Sequence, residues 1–156
     1  MLKLVLNTHG HLDHTCGNGL VKEKYHVPIL IHEEDAYMLG KPETAESLGF
    51  QSFSPKADAL LHDGNSVKFG KCTLKVVHTP GHSRGSITLT GEKEAFTGDT
   101  LFADSIGRTD FPGSSPADME KSLKKLRSLR DDFIVYPGHG PMTTMREEKQ
   151  NNPFLQ

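Results

Sequence analysis

The stretch His9-Gly10-His11-Leu12-Asp13-His14 places four side chains that can bind a metal within six residues. It follows closely on Leu2-Lys3-Leu4-Val5-Leu6, an apolar run that is typical of a buried strand. At the end of a strand, His9 and His11 can point to the same side, because side chains two residues apart share a face. Asp13 and His14 can turn toward a neighbouring point where the chain bends into a helix. This arrangement suits two metal ions lying close together, and imidazole with carboxylate favours zinc, iron or manganese over calcium or magnesium.

Three further segments place a glycine beside a potential ligand at the end of a predicted strand. They are Thr79-Pro80-Gly81-His82-Ser83, Phe96-Thr97-Gly98-Asp99-Thr100 and Tyr136-Pro137-Gly138-His139-Gly140-Pro141. Glycine lets the backbone turn sharply where a side chain must project into a pocket. A single histidine or aspartate in a turn is more often solvated or a cap, so His82, Asp99 and His139 become candidates because they complete the set.

The composition is that of an ordinary globular protein, and we predict a single domain over residues 1–156. Hydrophobic residues make up 35% and charged residues 24%, which argues against a disordered chain. The net charge of −2 and the absence of a basic tract argue against nucleic acid as a partner. No apolar run approaches the roughly 18 residues of a membrane span, so no membrane is expected as a partner. The apolar start is too short for a signal-peptide core, so we expect a cytoplasmic location.

Strands and helices alternate along the chain around a strand-rich middle, which predicts an α/β (α+β) fold built of layers. The clearest helix is predicted over Pro116–Leu129, because Ser115 can cap its start and apolar residues recur at helical spacing. Residues 40–57 carry Gly, Pro and Ser without periodicity and are predicted to form an irregular surface segment. Thr144, with Glu147 three residues later, predicts a capping box at the start of a short final helix.

The four ligand-bearing segments occur in the order of the metal motifs of the metallo-β-lactamase fold hydrolases, and the sequence resembles this family from Leu2 almost to Phe154. Within the family, the segments 107–112 and 137–144 are similar to those of the glyoxalase II-like thioesterases, the hydroxyacylglutathione hydrolases. The resemblance implies an αββα sandwich with the metals at one edge, between two sheets. It also implies a thioesterase that attacks a small, hydroxyacylglutathione-like substrate with a hydroxide bridging two metal ions. Zinc is the expected metal, with iron or manganese as alternatives.

The resemblance also gives each candidate residue a role. The first metal would be held by His9, His11 and His82, the second by Asp13, His14 and His139, and Asp99 would bridge both. Asp13 would in addition orient the hydroxide as the catalytic residue. Arg108 stands where glyoxalase II places a cationic residue against the glutathione part of its substrate, so it is the predicted substrate-binding residue.

The sequence departs from the family at both ends. Family members usually have about two further strands and a hairpin before the first motif, whereas eight residues precede His9 here. The resemblance therefore implies an N-terminally truncated fold with an uncovered sheet edge, through which copies of the chain would associate. The helical domain with which glyoxalase II grips glutathione would begin after about Phe154, and the sequence ends at Gln156. The acyl group and the thiol carrier of the substrate therefore stay open.

Two other functions also stay open at this point. One is a persulfide dioxygenase with a single iron, because the segment 107–111 also occurs in that branch of the family and such enzymes hold iron through two histidines and one carboxylate. The other is a catalytically inert metal-binding fragment, which the missing strands would favour. Structural zinc sites are usually closed and rich in cysteine. The candidate ligands here are all histidine or aspartate, which favours an open, catalytic site.

Overall fold

The computed structural model describes residues 1–156 as eleven β-strands, five α-helices and one 3-10 helix. The strands are β1 (Val5–Leu6), β2 (Ile29–His32), β3 (Ala59–Leu61), β4 (Ser66–Phe69), β5 (Cys72–His78), β6 (Ile87–Thr90), β7 (Glu94–Gly98), β8 (Leu101–Phe102), β9 (Ser105–Ile106), β10 (Ile134–Pro137) and β11 (Thr143–Thr144). The helices are α1 (Leu12–Thr15), α2 (Asn18–Tyr25), the 3-10 helix (Glu33–Met38), α3 (Pro42–Ser47), α4 (Pro116–Arg127) and α5 (Met145–Asn151). None of these helices has both the length and the apolar character needed to cross a membrane.

Two sheets form the middle of the molecule. The smaller sheet has three parallel strands in the order β1-β2-β3, and the larger has six strands in the order β11-β10-β7-β6-β5-β4. Neighbours in the larger sheet are antiparallel except for β7 and β10, which pair in parallel. Strands β8 and β9 form a separate hairpin.

The layers follow from the alternation of side chains along each strand. In β2, Leu30 packs against an apolar cluster that contains Val76 and Ile87 of the larger sheet, so it lies between the two sheets. Ile29 and Ile31 point the other way and belong to an apolar cluster that includes side chains of the 3-10 helix. Helix α4 covers the opposite face of the larger sheet. The result is the αββα sandwich that the sequence predicted.

Helix α4 confirms the helix predicted from its cap and its apolar spacing. The Ser115 hydroxyl accepts a hydrogen bond from the Asp118 amide at 3.2 Å, and Pro116 occupies the first turn. Its apolar face is buried against Ala95 of β7 and Val135 of β10. The predicted capping box also forms at the start of α5, through reciprocal bonds between Thr144 and Glu147.

The prediction that residues 40–57 are irregular is wrong in part, because α3 forms within them. Pro42 lies in the first turn of α3, and Ala45 is the residue through which the helix is buried. A helix of six residues is shorter than two turns, so it contains too few apolar positions to show a period in the sequence.

Strand β1 lies at an edge of the smaller sheet. It pairs with β2 through Val5 and Leu6 and has no strand on its other side. Residues 1–4, Leu6, Phe69 and Leu74 line an open cavity of about 330 Å³ beside it, and all of these except Lys3 are apolar. Unpaired backbone groups next to exposed apolar surface are a template for another chain.

We expect this edge to pair two copies of the chain. Sedimentation velocity at increasing concentration should show a growing dimer fraction, and Leu2→Lys should reduce it, because a charge would stand in the apolar cavity. Leu20→Lys is the matched control, since Leu20 is an exposed leucine on α2, outside this cavity. A monomer at every concentration, or an equal effect of the two substitutions, would contradict the prediction.

Candidate metal centre

Four loops meet at one edge of the sandwich, and each follows the carboxyl end of a strand. The segment His9–His14 follows β1 of the smaller sheet. Residues 79–83, Asp99 and residues 138–140 follow β5, β7 and β10 of the larger sheet. The two sheets therefore bring together all seven residues that were predicted to bind metal, although up to 130 residues separate them in the sequence (139 minus 9).

The first cluster consists of His9, His11 and His82, whose ligand atoms lie within 4.8 Å of one another. His11 Nδ1 is 2.8 Å from His82 Nε2. His9 is buried, and its Nε2 atom has no hydrogen-bond partner. A buried polar atom without a partner is costly. Three convergent imidazoles with an unsatisfied nitrogen are therefore a group that can hold a metal ion.

The second cluster consists of Asp13, His14 and His139, and it satisfies the same distance limit of 4.8 Å. The Nε2 atoms of the two histidines are 3.0 Å apart. Asp13 Oδ2 lies 3.3 Å from each of them. This cluster is more exposed than the first, so it faces the solvent side of the site.

Asp99 lies between the two clusters. Its Oδ1 atom is 3.4 Å from His14 Nε2, and its Oδ2 atom is 3.4 Å from His82 Nε2 and 3.5 Å from His139 Nε2. The carboxylate is buried, and Oδ1 makes no hydrogen bond. The position fits the bridging role predicted for Asp99, because the residue contacts a histidine of each cluster.

Gly138 is required by the close approach of its loop to Asp99. A Cβ atom at this position would lie 2.1 Å from Asp99 Oδ1 and 2.9 Å from His14 Cε1. No side chain fits at such distances. The glycine noted in the sequence beside His139 is therefore explained by the space that the two clusters occupy.

Hydrogen bonds on the far side of two rings orient their Nε2 atoms toward the centre. His82 Nδ1 donates to the Arg108 carbonyl at 2.8 Å, and His9 Nδ1 is 3.2 Å from Thr8 Oγ1. Such partners commonly fix the tautomer of a metal-binding histidine. The sequence did not reveal either partner. Every residue has a backbone carbonyl, so the sequence cannot show that the Arg108 carbonyl is the partner of His82. Thr8 stands directly before His9 in the sequence and could have been proposed as its partner.

Burial keeps two imidazoles of the first cluster, those of His9 and His11, neutral. It lowers the pKa of His9 to about 2, and repulsion from His14 acts in the same direction. Burial also lowers the pKa of His11, with repulsion from His82 as the second cause. Only a neutral imidazole can bind a metal ion. Both side chains are therefore in the binding-competent state at neutral pH.

The groups around Asp99 favour the charged form of its carboxyl, whereas burial keeps His9 and His11 uncharged. Burial is the largest single influence on its carboxyl and opposes ionisation, but contact with His14 lowers the pKa of Asp99 despite that burial. Burial likewise opposes protonation of His14, but Asp99 and Asp13 together raise its pKa. The bridging position therefore carries a negative charge, which suits a cation.

The two clusters open into a pocket of about 400 Å³. Its wall includes Phe102, Phe111 and the predicted substrate-binding residue Arg108. The Arg108 guanidinium donates to both carboxylate oxygens of Asp110, at 2.6 and 2.7 Å, and lies 4.0 Å from the centre of the Phe111 ring. Arg108 therefore lines the pocket, but its guanidinium is already paired with the Asp110 carboxylate.

A further His and carboxylate group lies outside this site. His32, Glu34 and His78 meet the same distance limit, and the two imidazoles are stacked with their centres 4.1 Å apart. His32 Nδ1 accepts from the Glu34 amide at 3.3 Å, and His78 Nε2 lies 2.8 Å from the Arg84 carbonyl. These ordinary hydrogen bonds account for the arrangement, in contrast to the unpartnered atoms of His9 and Asp99.

Comparison with known proteins identifies the class of the chain. The family model of the metallo-beta-lactamase superfamily matches residues 1–139, so the protein belongs to this superfamily of metal-dependent hydrolases. The match includes all seven candidate ligands. It confirms the fold that the sequence predicted.

The individual proteins to which the chain is similar differ in their named activity. The hydroxyacylglutathione hydrolase GloC of Haemophilus influenzae is 39% identical over 165 residues, which cover 99% of this chain and 76% of GloC. The crystal structure of BLEG-1, a B3 metallo-beta-lactamase, is similar with a TM-score of 0.90 and 35% identity, over 99% of this chain and 77% of BLEG-1. TTHA1623, whose crystal structure is in a di-iron-bound form, is similar with a TM-score of 0.86 and 34% identity, over 99% and 78% of the two chains.

The geometry predicts about two metal ions per chain, because Asp13, His14 and His139 would be redundant if one ion were bound. We expect His11→Ala to empty the first cluster and His139→Ala to empty the second, so that either change leaves about one ion. His62→Ala is the control, since its Nδ1 atom also lies 3.0 Å from a carboxylate oxygen, that of Glu33, but outside the site. Elemental analysis after dialysis gives the stoichiometry. One iron per chain that survives both Asp13→Ala and His139→Ala would contradict the prediction and favour the dioxygenase.

Proposed function

We propose that the protein is a thioester hydrolase that uses two divalent metal ions, preferably zinc, and acts on substrates of the hydroxyacylglutathione type. The first ion would be held by His9, His11 and His82, the second by Asp13, His14 and His139, and Asp99 would contact both. The observation that carries the proposal is the pair of clusters sharing Asp99 at the floor of an open pocket. The similarity to GloC supports the choice of thioester.

The metal ions would lower the pKa of a bound water toward neutrality and polarise the carbonyl of the substrate. The residues of the chain would position the reactants. The Asp13 side chain is half-exposed at the solvent side of the second cluster. There its carboxylate can accept a hydrogen bond from the attacking water, so that a lone pair of the water oxygen points toward the carbonyl carbon of the substrate. Phe102 and Phe111 would pack against the apolar part of the acyl or thiol group and exclude bulk water.

The lining of the pocket favours a thioester over an amide. A thiol has a pKa of about 8.5, so a thiolate can leave without first being protonated. An amide nitrogen must receive a proton as the bond breaks. Apart from the candidate metal ligands, the pocket is lined by Phe102, Gly107, Arg108 and Phe111, none of which is a suitable proton donor near neutral pH.

A substrate panel tests this function. We expect the zinc-loaded protein to hydrolyse a hydroxyacyl thioester of glutathione, and Asp13→Asn to reduce kcat by about 100-fold or more, since a positioned base typically contributes that much. Free thiol released is the measured product. A β-lactam and a persulfide with oxygen complete the panel. Turnover of either in place of the thioester, or two bound metals with no turnover at all, would contradict the proposal.

Arg108 is proposed to bind the anionic end of the substrate, and the chain offers an unusual control for it. The sequence Arg130-Asp131-Asp132-Phe133 repeats the pattern of Arg108-Thr109-Asp110-Phe111. Arg130 also donates to both oxygens of its aspartate, at 2.9 and 3.2 Å, and lies 5.2 Å from the Phe133 ring. This second copy does not line the pocket.

We expect Arg108→Ala to raise KM by about 10-fold with little change in kcat, because a contact made equally in the ground and transition states affects binding alone. Arg130→Ala should change neither constant. Steady-state kinetics on the glutathione thioester measures both variants. If Arg108→Ala and Arg130→Ala have the same kinetic constants, Arg108 does not bind the substrate. An equal fall in kcat and kcat/KM in Arg108→Ala would instead mean that Arg108 stabilises the transition state.

A further inference from the structure

We propose that Asp35 is a positioning residue for the first cluster, and that its buried carboxylate sets the distance between the loop of His9 and His11 and the loop of His82. The inference rests on the metal centre proposed above. Asp35 lies in the 3-10 helix that follows β2, and none of the candidate ligands belongs to that element.

The carboxylate of Asp35 is fully buried and accepts three hydrogen bonds. Its Oδ2 atom accepts from the Gly10 amide at 2.8 Å and from the Ser83 hydroxyl at 2.6 Å. Its Oδ1 atom accepts from the Gly85 amide at 2.7 Å. The donors come from two loops that are more than 70 residues apart in the sequence (83 minus 10).

These donors are the immediate neighbours of the candidate ligands. Gly10 stands between His9 and His11, and Ser83 follows His82. One oxygen atom of Asp35 therefore contacts both loops, at the residues next to His11 and His82, whose Nδ1 and Nε2 atoms lie 2.8 Å apart. A shift of that oxygen would change the separation of the two imidazoles.

Close packing leaves Asp35 little freedom to move. A Cβ atom at Gly85 would lie 2.7 Å from Asp35 Cγ, so glycine is required where the loop meets the carboxylate. A Cβ atom at Gly10 would lie 2.8 Å from Met38 Sδ and 3.0 Å from the Asp35 carbonyl oxygen. Both loops therefore contact the 3-10 helix through backbone as well as through the carboxylate.

The three donors need a carboxylate in particular. An ionised carboxylate accepts at both oxygens, whereas the amide of asparagine has one oxygen and one NH₂ donor. In Asp35→Asn the NH₂ would face either the Gly85 amide or the Gly10 amide and Ser83 hydroxyl. At least one N–H donor would then be opposed by another donor, although the side chain keeps its size.

Glu148 provides a matched control for this substitution. It is equally buried and also accepts three hydrogen bonds, from the Asp104 amide at 3.0 Å, Thr143 Oγ1 at 2.7 Å and Asn152 Nδ2 at 2.8 Å. None of these donors is a candidate ligand or a chain neighbour of one. Glu148→Gln therefore removes the same kind of buried carboxylate at a place where no effect on the first cluster is expected.

The experiment measures metal affinity separately from stability. Each substitution is made in the full chain carrying His139→Ala, so that the first cluster is the intact one, and the metal-free protein is titrated with Zn²⁺ by calorimetry and with Co²⁺ by visible absorption. We expect both variants to lower Tm. Asp35→Asn alone should weaken Zn²⁺ binding by about 10- to 100-fold, the usual effect of losing a partner that orients ligands, and alter the Co²⁺ spectrum.

The outcomes separate the two proposals. No binding of Zn²⁺ or Co²⁺ by the unsubstituted chain would overturn the metal centre itself. Normal binding by that chain, with equal affinities in Asp35→Asn and Glu148→Gln, would overturn the role of Asp35 alone. If Asp35→Asn does not fold, Ser83→Ala decides, because it removes one of the three donors and leaves the carboxylate in place. A lower affinity with an altered Co²⁺ spectrum supports the role, and unchanged values overturn it.

Discussion

Burial of His9 beside Asp99 is the constraint on which the site depends. The two side chains each hold an atom away from water without a hydrogen-bond partner, and such atoms are costly in a protein interior. Burial lowers the pKa of the His9 imidazole and keeps it neutral, whereas contact with His14 lowers the pKa of the Asp99 carboxyl despite its burial. Both unpartnered atoms belong to residues whose ligand atoms cluster with those of other histidines. The residues present therefore fit a bound cation, which would be held by neutral imidazoles and a charged carboxylate.

The two sheets supply the rigidity that this arrangement needs. Strand β1 of the smaller sheet and strands β5, β7 and β10 of the larger sheet end at the same edge, so each loop starts from a fixed point. Close backbone approaches then hold the loops against one another. Gly138 touches Asp99, and a Cβ atom at Gly81 would lie 2.5 Å from Met119 Cα in α4. The helix that covers the larger sheet thus also supports the loop of His82.

The sequence pointed to the candidate ligands more directly than to their surroundings, for a physical reason. Residues that bind metal must be of a few chemical types, so the segment His9–His14 was distinctive in type and spacing, and His82 became a candidate because it completed the set. Asp35 belongs to a segment with three consecutive acidic residues, where nothing distinguishes a buried carboxylate from solvated ones. Helix α3 was missed because six residues show no period, and the hairpin of β8 and β9 because strands of two residues leave no alternation.

The chemistry and the specificity of the site come from different parts of the chain. The candidate ligands are fixed by strand ends and buried contacts, whereas the pocket wall of Phe102, Arg108 and Phe111 comes from a single stretch after β7. The Arg–Asp pair packed on a phenylalanine recurs at Arg130, away from the pocket, so this local arrangement forms in places other than the pocket wall. Arg108 therefore owes its proposed role to the position of its loop. His82 Nδ1 also donates a hydrogen bond to the Arg108 carbonyl, so a movement of the loop that carries Arg108 would disturb the first cluster. We therefore expect substrate specificity to be altered by substitution of the side chains on this loop rather than by movement of its backbone.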